Sequence, residues 1–227
     1  VDGIMTKDGK VVIIDPNTST GMAPATFLFH QAAEVGMSHT KLINLLIEKE
    51  LTQYKISNDS WPQEQRDKSL MKLKKEKMRI AVLLGGESNE REISLESGRN
   101  VCYKLPPNKY DVIPIFVTEN MELFKLSQKL LIQNSTKEIS GLISAKTKIN
   151  WDDLSSVCDF VFIGLHGGKG ENGSVQGLLE MLNLPYNGSG VLASSLCIDK
   201  YKTNSFLRSK GFNVYPSKII NKSEWTT

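Results

Sequence analysis

From Arg79 onward the chain alternates short apolar runs with helix-length stretches, and this alternation constrains the fold more than any other feature. Ile80 to Leu84, Val112 to Val117 and Phe160 to Leu165 have the β-branched and aromatic character of buried strands. Ser94 to Leu105, a stretch around Leu123 to Leu131, and Val175 to Leu182 are predicted helices. Strands and helices in alternation imply a parallel sheet with right-handed crossovers, an α/β fold of Rossmann-like build. Residues 134–157 carry small polar side chains and are expected to be an insertion, with a short edge strand at Gly141-Leu142-Ile143.

In open sheets of this kind ligands bind beyond the carboxyl ends of the strands. Two glycine-rich loops fall there, at 85–90 and at 166–173. The second reads His166-Gly167-Gly168-Lys169-Gly170-Glu171-Asn172-Gly173 and leads into a helix. Such a turn lets backbone N–H groups close on a small polar or anionic ligand, and His166 and Glu171 add a titratable pair. Gly168, Gly170 and Gly173 also satisfy the dinucleotide fingerprint G-x-G-x-x-G. That reading needs a carboxylate about 20 residues further on for the ribose hydroxyls. The corresponding segment, Asn187 to Ser194, carries no acid, which counts against a nicotinamide or flavin oxidoreductase.

The first 77 residues read differently. Val11 to Ile14 is a β-branched run expected to be a buried strand, reached from Asp2 through the turn Lys7-Asp8-Gly9-Lys10. Leu28 to Val35 and Thr40 to Leu51 are predicted helices, the second capped by Ser38 or Thr40. Leu42, Leu45 and Leu46 fall at helical spacing and are expected to pack. Residues 53–77 are polar and then lysine-rich from Lys68; they are expected to be a solvated linker that trypsin cuts first.

Composition excludes some classes. A chain of 227 residues with 40% hydrophobic content can bury an ordinary core over one or two domains. A net charge of +3 implies no general affinity for nucleic acid. Cys102, Cys158 and Cys197 are odd in number and widely spaced, which suits small core positions in a reducing cytoplasm. No apolar run approaches the roughly 18 residues of a membrane span, so no membrane partner is expected. His30 and His39 lie on or beside helices and are expected to be surface or packing residues.

The string from His166 to Gly177 resembles the signature of the D-alanine–D-alanine ligases, members of the ATP-grasp superfamily. Met78 to Gly98, with Gly85-Gly86-Glu87-Ser88-Asn89-Glu90 at its centre, is similar to that family's opening strand and first loop. Pro185-Tyr186-Asn187-Gly188-Ser189-Gly190 and Asp199-Lys200 continue the likeness in the same order. Residues 1–52 resemble the family's other end. Val11-Val12-Ile13-Ile14-Asp15-Pro16-Asn17-Thr18-Ser19-Thr20-Gly21-Met22 looks like the metal-binding loop that closes an ATP-grasp domain. The resemblance therefore implies four parts. Residues 1–52 would be the C-terminal end of an ATP-grasp domain, 53–77 a linker, 78–196 the Rossmann-like N-terminal (pre-ATP-grasp) domain, and 197–227 the start of the central ATP-binding subdomain. That order is expected of a fragment of a tandem two-ligase chain, the rest of which would be its partner.

Ligases of this family phosphorylate the carboxylate of one D-alanine with ATP and let the amine of a second attack the acyl phosphate. The resemblance implies a role for each matching residue. Glu90 would pair with the first D-alanine's ammonium. His166 would sit near the same substrate as a hydrogen-bonding or protonatable partner, with Gly170 and Glu171 lining the loop. Gly21 would offer a backbone N–H to the oxyanion, and Thr26 a hydroxyl to the second substrate's carboxylate. Asp2, Asp15 and Asn17 would hold Mg²⁺ or Mn²⁺, being hard oxygen donors. Lys200 would bind phosphate. The expected setting is peptidoglycan precursor synthesis in a cytoplasm, with D-alanine and ATP as small-molecule partners and a homodimer left open.

This chain departs from the family at two positions. A glutamate usually stands where Asp15 is, and a proline where Thr20 is. A non-catalytic or regulatory ligase-like module is therefore an alternative, as are D-alanine–D-lactate and D-alanine–D-serine ligases. By itself a chain of this extent is expected to make no dipeptide, for lack of most of the central ATP-binding subdomain.

Overall fold

The computed structural model describes residues 2–16, 21–57 and 77–225. The chain opens with an antiparallel hairpin, β1 (Asp2–Met5) and β2 (Val11–Asp15), followed by helices α1 (Phe27–Glu34) and α2 (His39–Ser57). Then come β3 (Met78–Gly85), α3 (Arg91–Lys104), β4 (Tyr110–Val117), β5 (Leu123–Lys125), α4 (Gln128–Leu131) and α5 (Thr136–Leu142). They are followed by β6 (Lys148–Ile149), α6 (Leu154–Val157), β7 (Phe160–Ile163), α7 (Gly168–Glu171), α8 (Ser174–Met181), α9 (Val191–Cys197) and α10 (Lys200–Ser209).

The expected α/β fold is present. A five-stranded sheet runs β6-β5-β4-β3-β7. β3 lies between two parallel neighbours, with Ile80 opposite Val112 on one side and Phe160 on the other. Alternate residues of these strands feed opposite faces. Ala81, Leu83, Val161 and Ile163 enter a core with Val175 and Leu179 of α8. Ile80, Val82, Phe160 and Phe162 enter a second core, and its other members include Met22, Phe29, Ile43 and Ile47 from the first segment. Helices α1 and α2 are thus packed into the same body as the sheet.

Several local expectations change. The stretch around Leu123 is not helical at first: a turn closed by Thr118 N–H to Glu122 O (2.9 Å) sends β5 back antiparallel to β4 before α4 begins. Gly141 and Leu142 end helix α5, because Ser135 caps it by accepting Glu138 N–H, and the edge strand is Lys148–Ile149 instead. Helix α2 runs on to Ser57, with Ser38 Oγ accepting Lys41 N–H (3.3 Å) at its start. Leu42 is buried but Leu45 is 39% exposed, so only part of that leucine set packs. Val11 and Ile14 also stay exposed, since a two-stranded hairpin has little surface to cover them. Most of the expected linker, residues 58–76, lies outside the described residues.

His39 stacks on Phe29 at 4.0 Å between ring centroids, a packing role, while His30 is exposed. The cysteines are free thiols, and burial pushes Cys102 up to about 12 and Cys158 up to about 11, so neither is a nucleophile. No helix among the described residues is long and apolar enough to cross a membrane.

Helix α3 lies unusually close to β3 because Gly98 faces it. A Cβ at Gly98 would sit 2.5 Å from Leu84 Cβ, and one at Gly164 2.7 Å from Leu83 O. Gly98→Val should therefore destabilise the domain by about 1–3 kcal/mol, read as a lower urea midpoint at unchanged slope. An unchanged midpoint would mean that α3 can move away freely.

Candidate substrate cleft

β3 ends in two left-handed glycines, Gly85 (φ 96°) and Gly86 (φ 100°), which turn the chain away sharply. Ser94, fully buried on α3, accepts Gly85 N–H (2.9 Å) and donates to Gly164 O (2.8 Å). One hydroxyl thereby fixes the ends of β3 and β7 relative to each other. Ser88 does the same for the loops above them: it donates to His166 O (2.5 Å) and accepts Glu90 N–H (3.1 Å). Glu87 adds a clasp, taking Lys169 N–H at 3.0 Å and Lys169 Nζ at 2.9 Å, contacts that hold its carboxyl below the usual glutamate range.

Glu90 occupies the N-cap position of α3, yet its side chain makes no capping hydrogen bond. Its carboxylate instead lies against the second glycine loop, where a Cβ at Gly167 would be 2.8 Å from Glu90 Oε2. Gly167 has φ 67°, so only glycine fits there without strain. His166 leaves β7 with its side chain 12% exposed; Nε2 is 3.1 Å from Ser97 Oγ and Nδ1 is 3.5 Å from Glu171 Oε1. Gly170 is explained by packing, as a Cβ there would be 2.5 Å from Leu165 Cβ. Gly168 lies against Glu87, whose Oε1 would be 2.9 Å from a Cβ at that glycine. An acid where a pyrophosphate would approach removes the remaining appeal of the dinucleotide fingerprint.

The third wall comes from the first segment. Met22 is gripped at both ends by α3: its N–H goes to Ser97 Oγ (3.2 Å) and its carbonyl accepts Asn100 Nδ2–H (2.7 Å). That seats Gly21 beside His166, with a hypothetical Cβ 3.9 Å from the imidazole Cε1 and 3.2 Å from Thr26 Cγ2. Thr26 Oγ1 is buried and has no hydrogen-bond partner among the described residues. A buried hydroxyl left unpaired is costly and calls for a partner such as a water or a ligand.

Asp199 caps α10 by accepting Lys202 N–H (3.0 Å), and the next residue, Lys200, reaches back to Asp15 Oδ2 at 2.6 Å. The Asp15 hydrogen bond holds the Lys200 ammonium above the usual lysine range, and the charges of Asp15, Asp2 and Glu90 add to it. Asp2 faces Asp15 across the hairpin. Asn17 and Thr20 lie outside the described residues, and among those described no three His, Cys, Asp or Glu side chains form a metal-ready group. Of the residues expected at the site, Gly21 lies beside His166 and Thr26, His166 beside Glu171, Glu90 over Gly167, and Asp15 on Lys200. Sequence reasoning did not single out Ser88, Ser97, Asn100 or the Glu87–Lys169 clasp, which tie these loops to one another.

Residues 79–189 match the family described as D-ala D-ala ligase N-terminus. This part of the chain belongs to the D-alanine–D-alanine ligase family. The D-alanine–D-alanine ligase of Geobacillus thermodenitrificans is 35% identical over 161 residues, covering 66% of this chain and 44% of that enzyme. The ligase of Desulforudis audaxviator is 41% identical over 136 residues, covering 60% of this chain and 35% of its own. The chain therefore spans less than half the length of these relatives. Among solved structures, the D-alanine–D-alanine ligase of Coxiella burnetii superposes with TM-score 0.51 at 31% identity, over 60% of this chain and 42% of that one. A D-Ala:D-Ser ligase from Enterococcus faecalis does so with TM-score 0.50 at 29% identity, over 60% and 43%.

Proposed function

We propose that this chain carries the first-substrate cleft of an ATP-dependent D-alanine–D-alanine ligase, which forms the dipeptide through an acyl phosphate for peptidoglycan precursors in the cytoplasm. The observation that supports the reading is the contact of Gly21 with both His166 and Thr26, beside an unpaired Thr26 hydroxyl and with Glu90 over the adjoining Gly167. Glu90 takes the ammonium of the first D-alanine, a charge-assisted contact at the mouth of the cleft. His166 donates to its carboxyl group. Gly21 N–H is the oxyanion donor, and Thr26 Oγ1 takes the carboxylate of the incoming second substrate.

Lys200 serves the phosphates of ATP. Asp2, Asp15 and Asn17 would hold Mg²⁺ or Mn²⁺, and the donor chemistry fits: two carboxylates meet at the hairpin end, and their charge already draws in the Lys200 ammonium. When bound, such an ion neutralises phosphate charge. Residues 1–52 are, on this reading, the closing segment of an ATP-grasp domain, and 197–227 the opening of its central subdomain. The likeness to a D-Ala:D-Ser ligase gives D-serine as the competing second substrate.

The test is a titration of the chain with D-alanine, L-alanine and D-serine followed by NMR. Saturable shifts at Gly21, Thr26, Glu90 and His166 with D-alanine are expected, and Thr26→Val should weaken those at Gly21 several-fold while sparing Glu90 and His166. Equal response to L-alanine, or shifts elsewhere only, would overturn the assignment.

A further inference from the structure

Ser97 is given no role by the family resemblance, yet it touches both Met22 of the first segment and His166 of the second glycine loop. It is fully buried on α3, accepts Met22 N–H at 3.2 Å and stands 3.1 Å from His166 Nε2. Among the described residues its hydroxyl has no other partner. A serine hydroxyl has one proton and two lone pairs, and a backbone amide can only donate. If His166 Nε2 carried a proton, Ser97 Oγ would receive two donors and its own proton would point at nothing in a buried place, an arrangement that folded proteins avoid. If Nε2 is bare, the hydroxyl donates to it and every group is satisfied. The opposite side of the ring agrees: Nδ1 faces Glu171 Oε1 at 3.5 Å, an acceptor that suits a protonated Nδ1.

We infer that Ser97 is a positioning residue that fixes His166 as the Nδ1–H tautomer and ties that choice to the seating of the Gly21–Met22 loop. Orientation of the imidazole and closure of the oxyanion loop are then one event, because one hydroxyl serves both. Asn100 sits one turn further along α3 and holds only the Met22 carbonyl, so it anchors the loop without touching the imidazole. The consequence for chemistry, which rests on the proposed ligase reading, is that His166 presents a donor on its Nδ1 side. The Glu171 contact there is long enough for a substrate carboxyl group to replace it. A donor, not an acceptor, is what an anionic substrate requires.

The experiment is ¹⁵N–¹H imidazole spectroscopy on the ligand-free chain, above the ordinary titration range of histidine. The wild type should show His166 with a protonated Nδ1 and a bare Nε2. Ser97→Ala should move it to a tautomer mixture or to the Nε2–H form, and Ser97→Cys, which keeps a weak donor, should restore part of the wild-type pattern. Asn100→Ala should speed amide exchange at Met22 while leaving the tautomer as it was. A protonated Nε2 in the wild type, or an unchanged tautomer in Ser97→Ala, would overturn the proposal. Should Ser97→Ala fail to fold, the wild-type and Asn100→Ala spectra still decide it, since a tautomer that follows Asn100 equally would show a general loop effect. No substrate is needed for these readings. Absence of D-alanine binding would therefore count against the ligase function alone.

Discussion

Phe162→Ala should lower the stability of the chain by about 3–5 kcal/mol and release helices α1 and α2 before the sheet unfolds. Phe162 is fully buried in the core that also holds Phe29, Ile43 and Ile47 of the first segment and Ile80 and Val82 of β3. Removing the ring leaves a void where the segment meets the sheet, and native interiors collapse into such voids only partly. Against a total stability of about 5–15 kcal/mol, that loss is large. Hydrogen exchange reads the prediction directly: α2 amides should lose protection relative to β3 amides, which sit between two parallel neighbours. Ile47→Ala should behave likewise at about 2–5 kcal/mol, whereas Leu45→Ala, at a 39% exposed site, should stay within about 0.5 kcal/mol. Unaltered α2 protection in Phe162→Ala would mean that the two segments fold independently.

This shared core was the part least legible in the sequence. The apolar runs Ile80 to Leu84 and Phe160 to Leu165 identify buried strands, but nothing in them says which helices cover each face. A helix can be covered by any partner of matching shape, and α1 and α2 come from a segment separated from the sheet by the lysine-rich stretch. The short β5 escaped for a related reason. Three residues of strand followed closely by a helical turn carry the apolar spacing of one longer helix, and only Leu126 and the N-cap Ser127 separate them. By contrast Gly85, Gly86 and Gly167 were legible because their positive φ angles are a demand that only glycine meets readily. Ser94, Ser97 and Gly98 carry a subtler signal. Three small residues on one stripe of a predicted helix mean close approach to a neighbour, and here that closeness lets two serine hydroxyls reach across to the loops.

Glu90→Gln should weaken D-alanine binding by roughly tenfold to a hundredfold, the loss of a charge-assisted contact worth about 1.5–3 kcal/mol. Glu90 stands at the N-cap of a helix, where a short polar side chain ordinarily caps, and its own side chain makes no capping bond. It lies instead over Gly167, the residue next to His166. Exposure there spares it the desolvation cost of an unpaired buried charge while leaving it open to an ammonium group. Glutamine keeps the size and the amide oxygen but not the charge, so the fold should be unaffected and the thermal midpoint should hold within the small range typical of surface substitutions. In a full ligase carrying this cleft the same change should raise KM for the first D-alanine and leave that for ATP nearly alone. Thr26→Val should instead act on the second substrate. Equal affinity for D-alanine in the wild type and Glu90→Gln, with both proteins folded, would remove Glu90 from the binding site and with it the main support for the ammonium-binding role.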